Sequence, residues 1–144
     1  YFFLCIEQTK KALKINSKSA SGYFFNGLCN GSLGEVRGIW SSLGKIKPFK
    51  KDMEMAISLD PAVNEGGPHR ALANLYLKLP YLLGGDLGQS IIHFKEAVRF
   101  GPQFGENYLG LAGHCRLSET HPGAKFFWKA GEELPAYSKR RQMV

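Results

Sequence analysis

A short segment that recurs along the chain constrains the fold more than any other feature. Residues 54–61 (EMAISLDP) return as residues 95–102 (KEAVRFGP), 41 positions later, and residues 11–16 (KALKIN) form a weaker copy, 44 positions before the first. A fourth copy, at a spacing of 34 positions, pairs Ser90, Phe94 and Ala97 with Ala124, Trp128 and Gly131. Each copy has the pattern of a short amphipathic helix, with a small residue on its apolar stripe one turn after a bulky one. Repetition at this period predicts an array of similar helical units.

A second helix is predicted before each of the last three copies. These helices begin their apolar patterns at residues 23, 69 and 108 and carry the small residues Gly27, Ala73 and Ala112. Small residues let two helix backbones approach closely, and bulky residues on the next helix fill the space beside them. Such a hairpin cannot bury its apolar stripes alone, so neighbouring hairpins must stack. We therefore expect an all-α fold, an α-solenoid of stacked antiparallel helical hairpins.

The expected domain organisation is a single solenoid over residues 1–144. Residues 1–16 are interpreted as the second helix of an incomplete first repeat, and full repeats are expected at about 20–61, 66–102 and 105–136. Because the helical pattern is already under way at residue 1, we expect the chain to be a piece of a longer protein.

Two of the repeats carry insertions. Residues 32–48 lengthen the second unit and contain Trp40, and residues 79–86 lengthen the third. Asp86 is predicted to cap the following helix, and Gly84-Gly85 supplies a permissive backbone before it. The first insertion leads into a basic run, interpreted as a solvated face, that consists of Lys45, Lys47, Lys50 and Lys51.

The repeated unit resembles the tetratricopeptide repeat (TPR), in which W-x-x-L-G-x-x-Y is followed by A-x-x-x-F-x-x-A and a proline. Residues 90–102 match the second part as S-x-x-x-F-x-x-A-x-x-x-x-P. The second unit departs from the pattern, because Asn26 and Asn30 replace apolar residues. What the resemblance implies is a non-enzymatic scaffold or adaptor whose concave groove binds a partner protein, a peptide or a ligand.

Residues 68–94 point to one branch of that family. Their string PHRAL…LP…GGD…HF resembles exported bacterial TPR proteins, often lipoproteins, which include the TPR component associated with TRAP-type substrate-uptake systems. This resemblance implies a periplasmic or otherwise extracytoplasmic accessory of an uptake or assembly system. The sequence tests neither export nor lipidation, so a cytoplasmic location stays open.

The reactive side chains predict no enzyme, no metal site and no cofactor. The three cysteines include no C-x-x-C pair, and the four histidines have no H-x-x-x-H or H-E-x-x-H spacing. Cys5, Cys29 and Cys115 lie among apolar neighbours, which favours buried thiols. Cys5 and Cys29 fall on successive predicted helices, so an oxidising compartment would allow a disulfide between them.

The predicted partner-binding groove lies on the first helix of each repeat, at positions one and five residues after its leading aromatic residue or histidine. The residues placed there or further along the same face are Phe24, Leu28, Arg70, Asn74, Lys78, Leu109 and Arg116. Arg70 and Asn74, at i and i+4, can both donate to a carboxylate or carbonyl group. The alternative is that Arg70 merely pairs with a nearby carboxylate such as Glu65.

The net charge of the chain is the basis of an alternative function. The formal net charge is +7, which fits a module that binds nucleic acid or an anionic surface. Aromatic residues are not interleaved with the basic runs, and this disfavours nucleic acid. No run of about 18 apolar residues predicts a transmembrane segment. A protein or peptide partner is therefore favoured, and a homo-oligomer or larger assembly stays open.

Overall fold

A computed structural model describes the backbone of residues 1–37 and 39–117 and the side chains of residues 1–32 and 43–114. These residues form six α-helices and no strand, which confirms the prediction of an all-α fold. The helices are α1 (Phe2–Ile15), α2 (Ala20–Arg37), α3 (Ile39–Leu59), α4 (Val63–Lys78), α5 (Leu87–Phe100) and α6 (Gly105–Leu117). The chain divides into two compact units, Tyr1–Val63 and Asn64–Val144.

The first unit consists of α1, α2 and α3, and its core lies between the last two. Met53 and Ala56 of α3 are fully buried, and Phe49 of the same helix is buried with them. Gly27 of α2 faces Met53 so closely that the methyl group of an alanine would overlap the Met53 side chain. The insertion at residues 32–48 extends α2 and α3, and α3 continues through Pro48.

The second unit consists of α4, α5 and α6. Ala73, Phe94 and Leu111, one from each helix, form its buried cluster. Gly110 of α6 faces the Phe94 ring, which fills the space that a side chain at residue 110 would need. The fourth-copy residues Ala124, Trp128 and Gly131 lie outside the described residues.

The start of α4 is a left-handed turn. Asn64, Glu65 and Gly66 have φ values of 50°, 58° and 72°, and the regular helix follows them. Pro68 then lies in the first turn of the regular helix, where its missing N–H costs no hydrogen bond. A left-handed conformation is strained for a residue with a side chain, so tertiary contacts must hold Asn64 and Glu65 in place.

The connection between α4 and α5 is a short 3-10 turn, Tyr81–Leu83, closed by Gly84 at φ 92°. The Asp86 side chain accepts a hydrogen bond from the Gln89 backbone N–H at 3.0 Å. This confirms Asp86 as the predicted N-cap of α5. The Asp86 backbone N–H in turn donates to the Tyr76 carbonyl at 3.1 Å, which anchors the loop on α4.

Candidate functional site

Arg70 is held inside the second unit. Its Nη1 donates to Asn107 Oδ1 at 2.7 Å, and it also lies 3.4 Å from the main-chain carbonyl oxygen of Glu65. The guanidinium covers the Phe104 ring, with 4.5 Å between its carbon and the ring centroid. Arg70 therefore makes contacts within its own unit. Its contact with Glu65 is to the main-chain carbonyl, whereas the alternative drawn from the sequence was a pair with the Glu65 carboxylate.

Asn107, in the first turn of α6, is the centre of this arrangement and is fully buried. Its Nδ2 lies 2.9 Å from the Glu65 carbonyl oxygen, 2.8 Å from that of Ala97 and 3.0 Å from that of Gly101. One amide thus joins the left-handed turn of α4, the end of α5 and the start of α6. We call Asn107, Arg70 and the carbonyl groups of Glu65, Ala97 and Gly101 the Asn107 cluster.

Two glycines make room for the Asn107 cluster. A methyl group on Gly101 would overlap the Glu65 carbonyl, and one on Gly66 would lie 2.7 Å from the Ala97 carbonyl oxygen. The backbones of the turn and of the α5 terminus can approach closely because neither position has a side chain. Asn107 was not predicted from the sequence, because its spacing from Arg70 follows no helical or repeat period.

The other predicted groove residues of the second unit have different surroundings. Asn74 is half-buried, and its Nδ2 donates to the Arg70 carbonyl at 2.9 Å. Lys78 is exposed and Leu109 is half-buried. The side chain of Arg116 lies outside the described ones. Asn74, Lys78 and Leu109 thus retain accessible surface, as does the half-buried Arg70, whose guanidinium is bound within the unit.

In the first unit, the two predicted groove residues differ from each other. Phe24 is only 4% exposed and belongs to the core, whereas Leu28 is half-buried. Phe25, the next residue, is 46% exposed and contacts Phe24 edge to face, with ring centroids 5.2 Å apart. Phe25 is therefore more accessible than Phe24, because the helix turns the Phe24 side chain inward.

A polar chain crosses the three helices of the first unit. Thr9 Oγ1 of α1 lies 3.0 Å from Asn26 Oδ1 of α2, and Asn26 Nδ2 donates to Asp52 Oδ2 of α3 at 2.7 Å. Burial raises the pKa of Asp52, while the Asn26 hydrogen bond and the charges of Lys51 and Lys10 act in the opposite direction. Asn26, which departs from the TPR pattern, is therefore the middle member of an interhelical hydrogen-bond chain.

Two histidines of the second unit form a contact that the sequence spacing did not reveal. The Nδ1 atoms of His69 in α4 and His93 in α5 lie 3.0 Å apart. His69 stacks on Phe100, and His93 stacks on Tyr76, with ring centroids 5.6 and 5.7 Å apart. Burial lowers the pKa of His69, and the neighbouring His93 lowers it further. A hydrogen bond between the two facing nitrogens requires that one Nδ1 carries a proton and the other does not.

Cys5 and Cys29 are joined as a disulfide between α1 and α2, with Cα atoms 6.0 Å apart. From the sequence, buried thiols were favoured over this disulfide. A Cα distance near 6 Å is typical of disulfides. The link matters for α1, because no residue of that helix is fully buried.

The described part of the chain contains no group of three or more His, Cys, Asp or Glu side chains able to hold a metal ion. None of its helices is both long and apolar enough to cross a membrane. Comparison of the sequence with protein-family models and with curated proteins finds no match.

Proposed function

We propose that this chain is a non-enzymatic scaffold or adaptor built as a TPR-type α-solenoid, which binds a protein, peptide or ligand on the face of its first helices. The observation that carries the proposal is the common packing of the repeated segments. Met53 and Ala56 are buried in the first unit, and Phe94 and Ala97, 41 positions later, are buried in the second. Hairpins that use one register of buried residues are the building blocks of helical repeat proteins, which bind partners along an extended face.

The second unit supplies the better-defined part of that face. Asn74 offers an amide, Lys78 an ammonium group and Leu109 an apolar contact, and all three retain accessible surface. This mixture suits a peptide with an apolar side chain beside an acidic or carbonyl group. In this proposal Arg70 holds α4 and α6 in register through Asn107, so that it orients the binding residues rather than contacting the partner.

The Cys5–Cys29 disulfide supports an extracytoplasmic location for the proposed scaffold. Disulfides persist in oxidising compartments such as the bacterial periplasm and are rare in reducing ones. Expression with an export signal and free-thiol titration of the purified native protein test this point. Two free thiols at positions 5 and 29 would argue against it.

The binding face is tested with a matched pair of charge reversals. Partners captured on the immobilised full chain are identified by mass spectrometry, and their affinity for Lys78→Glu and Lys95→Glu is then compared. Both lysines are exposed, but Lys78 lies on α4, a first helix, and Lys95 on α5, a second helix. We expect Lys78→Glu to weaken binding about tenfold and Lys95→Glu to leave it unchanged. If the two charge reversals changed the affinity equally, the proposed binding face would be wrong.

A second candidate is binding to nucleic acid or an anionic surface through the first unit. Lys10 of α1 and Lys51 of α3 both act on Asp52, so basic side chains of two helices converge there. Changing Lys45, Lys47, Lys50 and Lys51 together to Gln should leave folding intact and remove only weak, salt-sensitive association. The measurement is a salt titration against duplex DNA, single-stranded RNA and vesicles with anionic lipid. Loss of a tight, salt-insensitive complex would instead show that α3 is a specific interface.

A further inference from the structure

The His69–His93 contact joins the two helices of a hairpin at one buried point. His69 is 8% exposed, and the 3.0 Å separation of the two Nδ1 atoms is a hydrogen-bond distance. Each ring also stacks on an aromatic neighbour. His69 stacks on Phe100 and His93 on Tyr76, with interplanar angles of 6° and 10°. Rotation of either ring away from its partner would break a stack as well as the hydrogen bond.

The number of protons on the pair decides whether the hydrogen bond can form. With two neutral rings, one Nδ1 carries the shared proton and the other accepts it. A first added proton can go to the Nε2 of the donor ring, which leaves the Nδ1–H···Nδ1 bond in place. A second added proton must occupy the accepting Nδ1. Two N–H groups then face each other at 3.0 Å on two cations, so the contact changes from attractive to repulsive.

The surroundings of His69 favour its neutral state. Arg99 on α5 opposes protonation of His69, while Glu96 on the same helix favours it. Glu96 is itself engaged by Arg99, with Nη1 and Oε2 3.1 Å apart. Tyr76 on α4 and Phe100 on α5 face the rings with aromatic surfaces. The carboxylate that favours protonation of His69 is therefore partly neutralised by the arginine beside it.

We propose that His69 and His93 form a pH-sensitive clasp, which holds α4 against α5 when it carries at most one added proton and releases the hairpin when it carries two. Histidine is the side chain whose ordinary pKa, about 6.5, lies nearest to physiological pH. Coupled sites release their protons in two separate steps that belong to the pair. The opening step is the second protonation, so the clasp opens in more acidic solution than the step that adds the first proton. Asn74 and Lys78 lie on the helix that is released, so this step, which rests on the proposed function, places the proposed binding face under control of pH.

The experiment follows the two rings and the two helices of the full chain as the pH falls from 7.5 to 4.5. Long-range ¹H–¹⁵N correlation NMR reports the protonation and tautomer of each imidazole, with assignments from His69→Phe and His93→Phe. We expect two steps separated by more than one pH unit, and one Nδ1 protonated at neutral pH. Hydrogen exchange of α4 and α5 amides, corrected for the intrinsic effect of pH, should accelerate about tenfold for each pH unit across the second step.

The double variant His69→Phe/His93→Phe is the matched control, because it keeps both aromatic stacks and removes both titrating groups. Its corrected exchange rates in α4 and α5 should change less than about threefold over the same range. Equal pH dependence of the wild type and the double variant would overturn the clasp. If the double variant does not fold, titration of the wild-type rings decides. Two independent rings with ordinary midpoints near 6.5 would equally overturn the proposal.

Discussion

Asn107→Asp is the sharpest test of the internal architecture of the second unit. The substitution keeps the shape of the side chain and exchanges an amide for a carboxylate. Nδ2 is a donor within 2.8–3.0 Å of three carbonyl oxygens, those of Glu65, Ala97 and Gly101. A carboxylate oxygen in its place would face the same oxygens as a charged acceptor. The exchange therefore removes the donor from a buried site and adds repulsion there.

The size of the effect follows from these contacts. An amide NH₂ has two protons, so two hydrogen bonds are lost, at about 0.5–1.5 kcal/mol each. The carbonyls of Ala97 and Gly101 keep a backbone donor, the N–H of Gly101 and of Phe104 respectively. The buried carboxylate that replaces the amide adds a desolvation penalty of about 1–3 kcal/mol. Arg70 would gain an ionic partner, since its Nη1 lies 2.7 Å from Oδ1 of residue 107. That gain is limited, because Arg70 is half-buried and already makes a charge-assisted bond. We expect Asn107→Asp to lower the free energy of unfolding at pH 7 by about 3–5 kcal/mol.

Urea denaturation followed by circular dichroism measures the loss, and hydrogen exchange of α6 amides locates it. The matched control is Asn74→Asp, the same chemical change at a half-buried asparagine on α4 whose amide makes one bond, to the Arg70 carbonyl. We expect that control to cost about 1 kcal/mol. If Asn107→Asp were within 1 kcal/mol of the control, the assignment of Asn107 as the centre of its cluster would fail.

Three further outcomes are expected. Ala97→Leu should destabilise the second unit by about 1–3 kcal/mol, because Ala97 is fully buried at the helix contact, and an unchanged melting temperature would contradict the repeat register. Cys5→Ser should lower the stability of the first unit by about 2–4 kcal/mol through the loss of a link that spans 24 residues, and urea denaturation of the oxidised wild type and the variant checks this. Because burial raises the pKa of Asp52 above its ordinary 3.8, its ionisation makes stability fall as the pH rises from 3.8 through the folded-state pKa. Asp52→Asn should therefore be at least as stable as the wild type at pH 7, with a smaller difference in acid; a clearly less stable variant at pH 7 would contradict the cost of burying this carboxylate.

The sequence predicted helical hairpins and several of the residues buried between their helices. Ala97 and Phe94 were chosen from spacing alone, and both are buried, because a helix that packs on one side repeats its apolar residues at the helical period. Asp86 was predicted as a cap from its position before an amphipathic segment, and the structure confirms it. These features depend on neighbours that are close along the chain, so a linear pattern records them.

The side-chain partners of the candidate site could not be predicted in this way. Arg70 and Asn107 are 37 residues apart, and His69 and His93 are 24 apart. Their meeting depends on the helix rotations and on the left-handed turn at the start of α4, which brings the Glu65 carbonyl to Asn107. A long basic side chain on the face of a first helix has the same pattern whether it points into a groove or back onto its own unit. The two outcomes differ in three-dimensional packing and not in spacing.

The left-handed turn at residues 64–66 also has a consequence in terms of chirality. Asn64 and Glu65 adopt backbone angles that are the mirror image of an ordinary helical residue, and both side chains are exposed. A D-amino acid prefers this geometry, for the same steric reason that an L-amino acid avoids it. A chain assembled by chemical ligation with D-alanine at position 65 should therefore fold to the same structure and gain about 1 kcal/mol relative to L-alanine there. At most positions of a right-handed helix a D-amino acid would be destabilising. At the turn that starts α4, the handedness of a single residue can be exchanged without changing the fold.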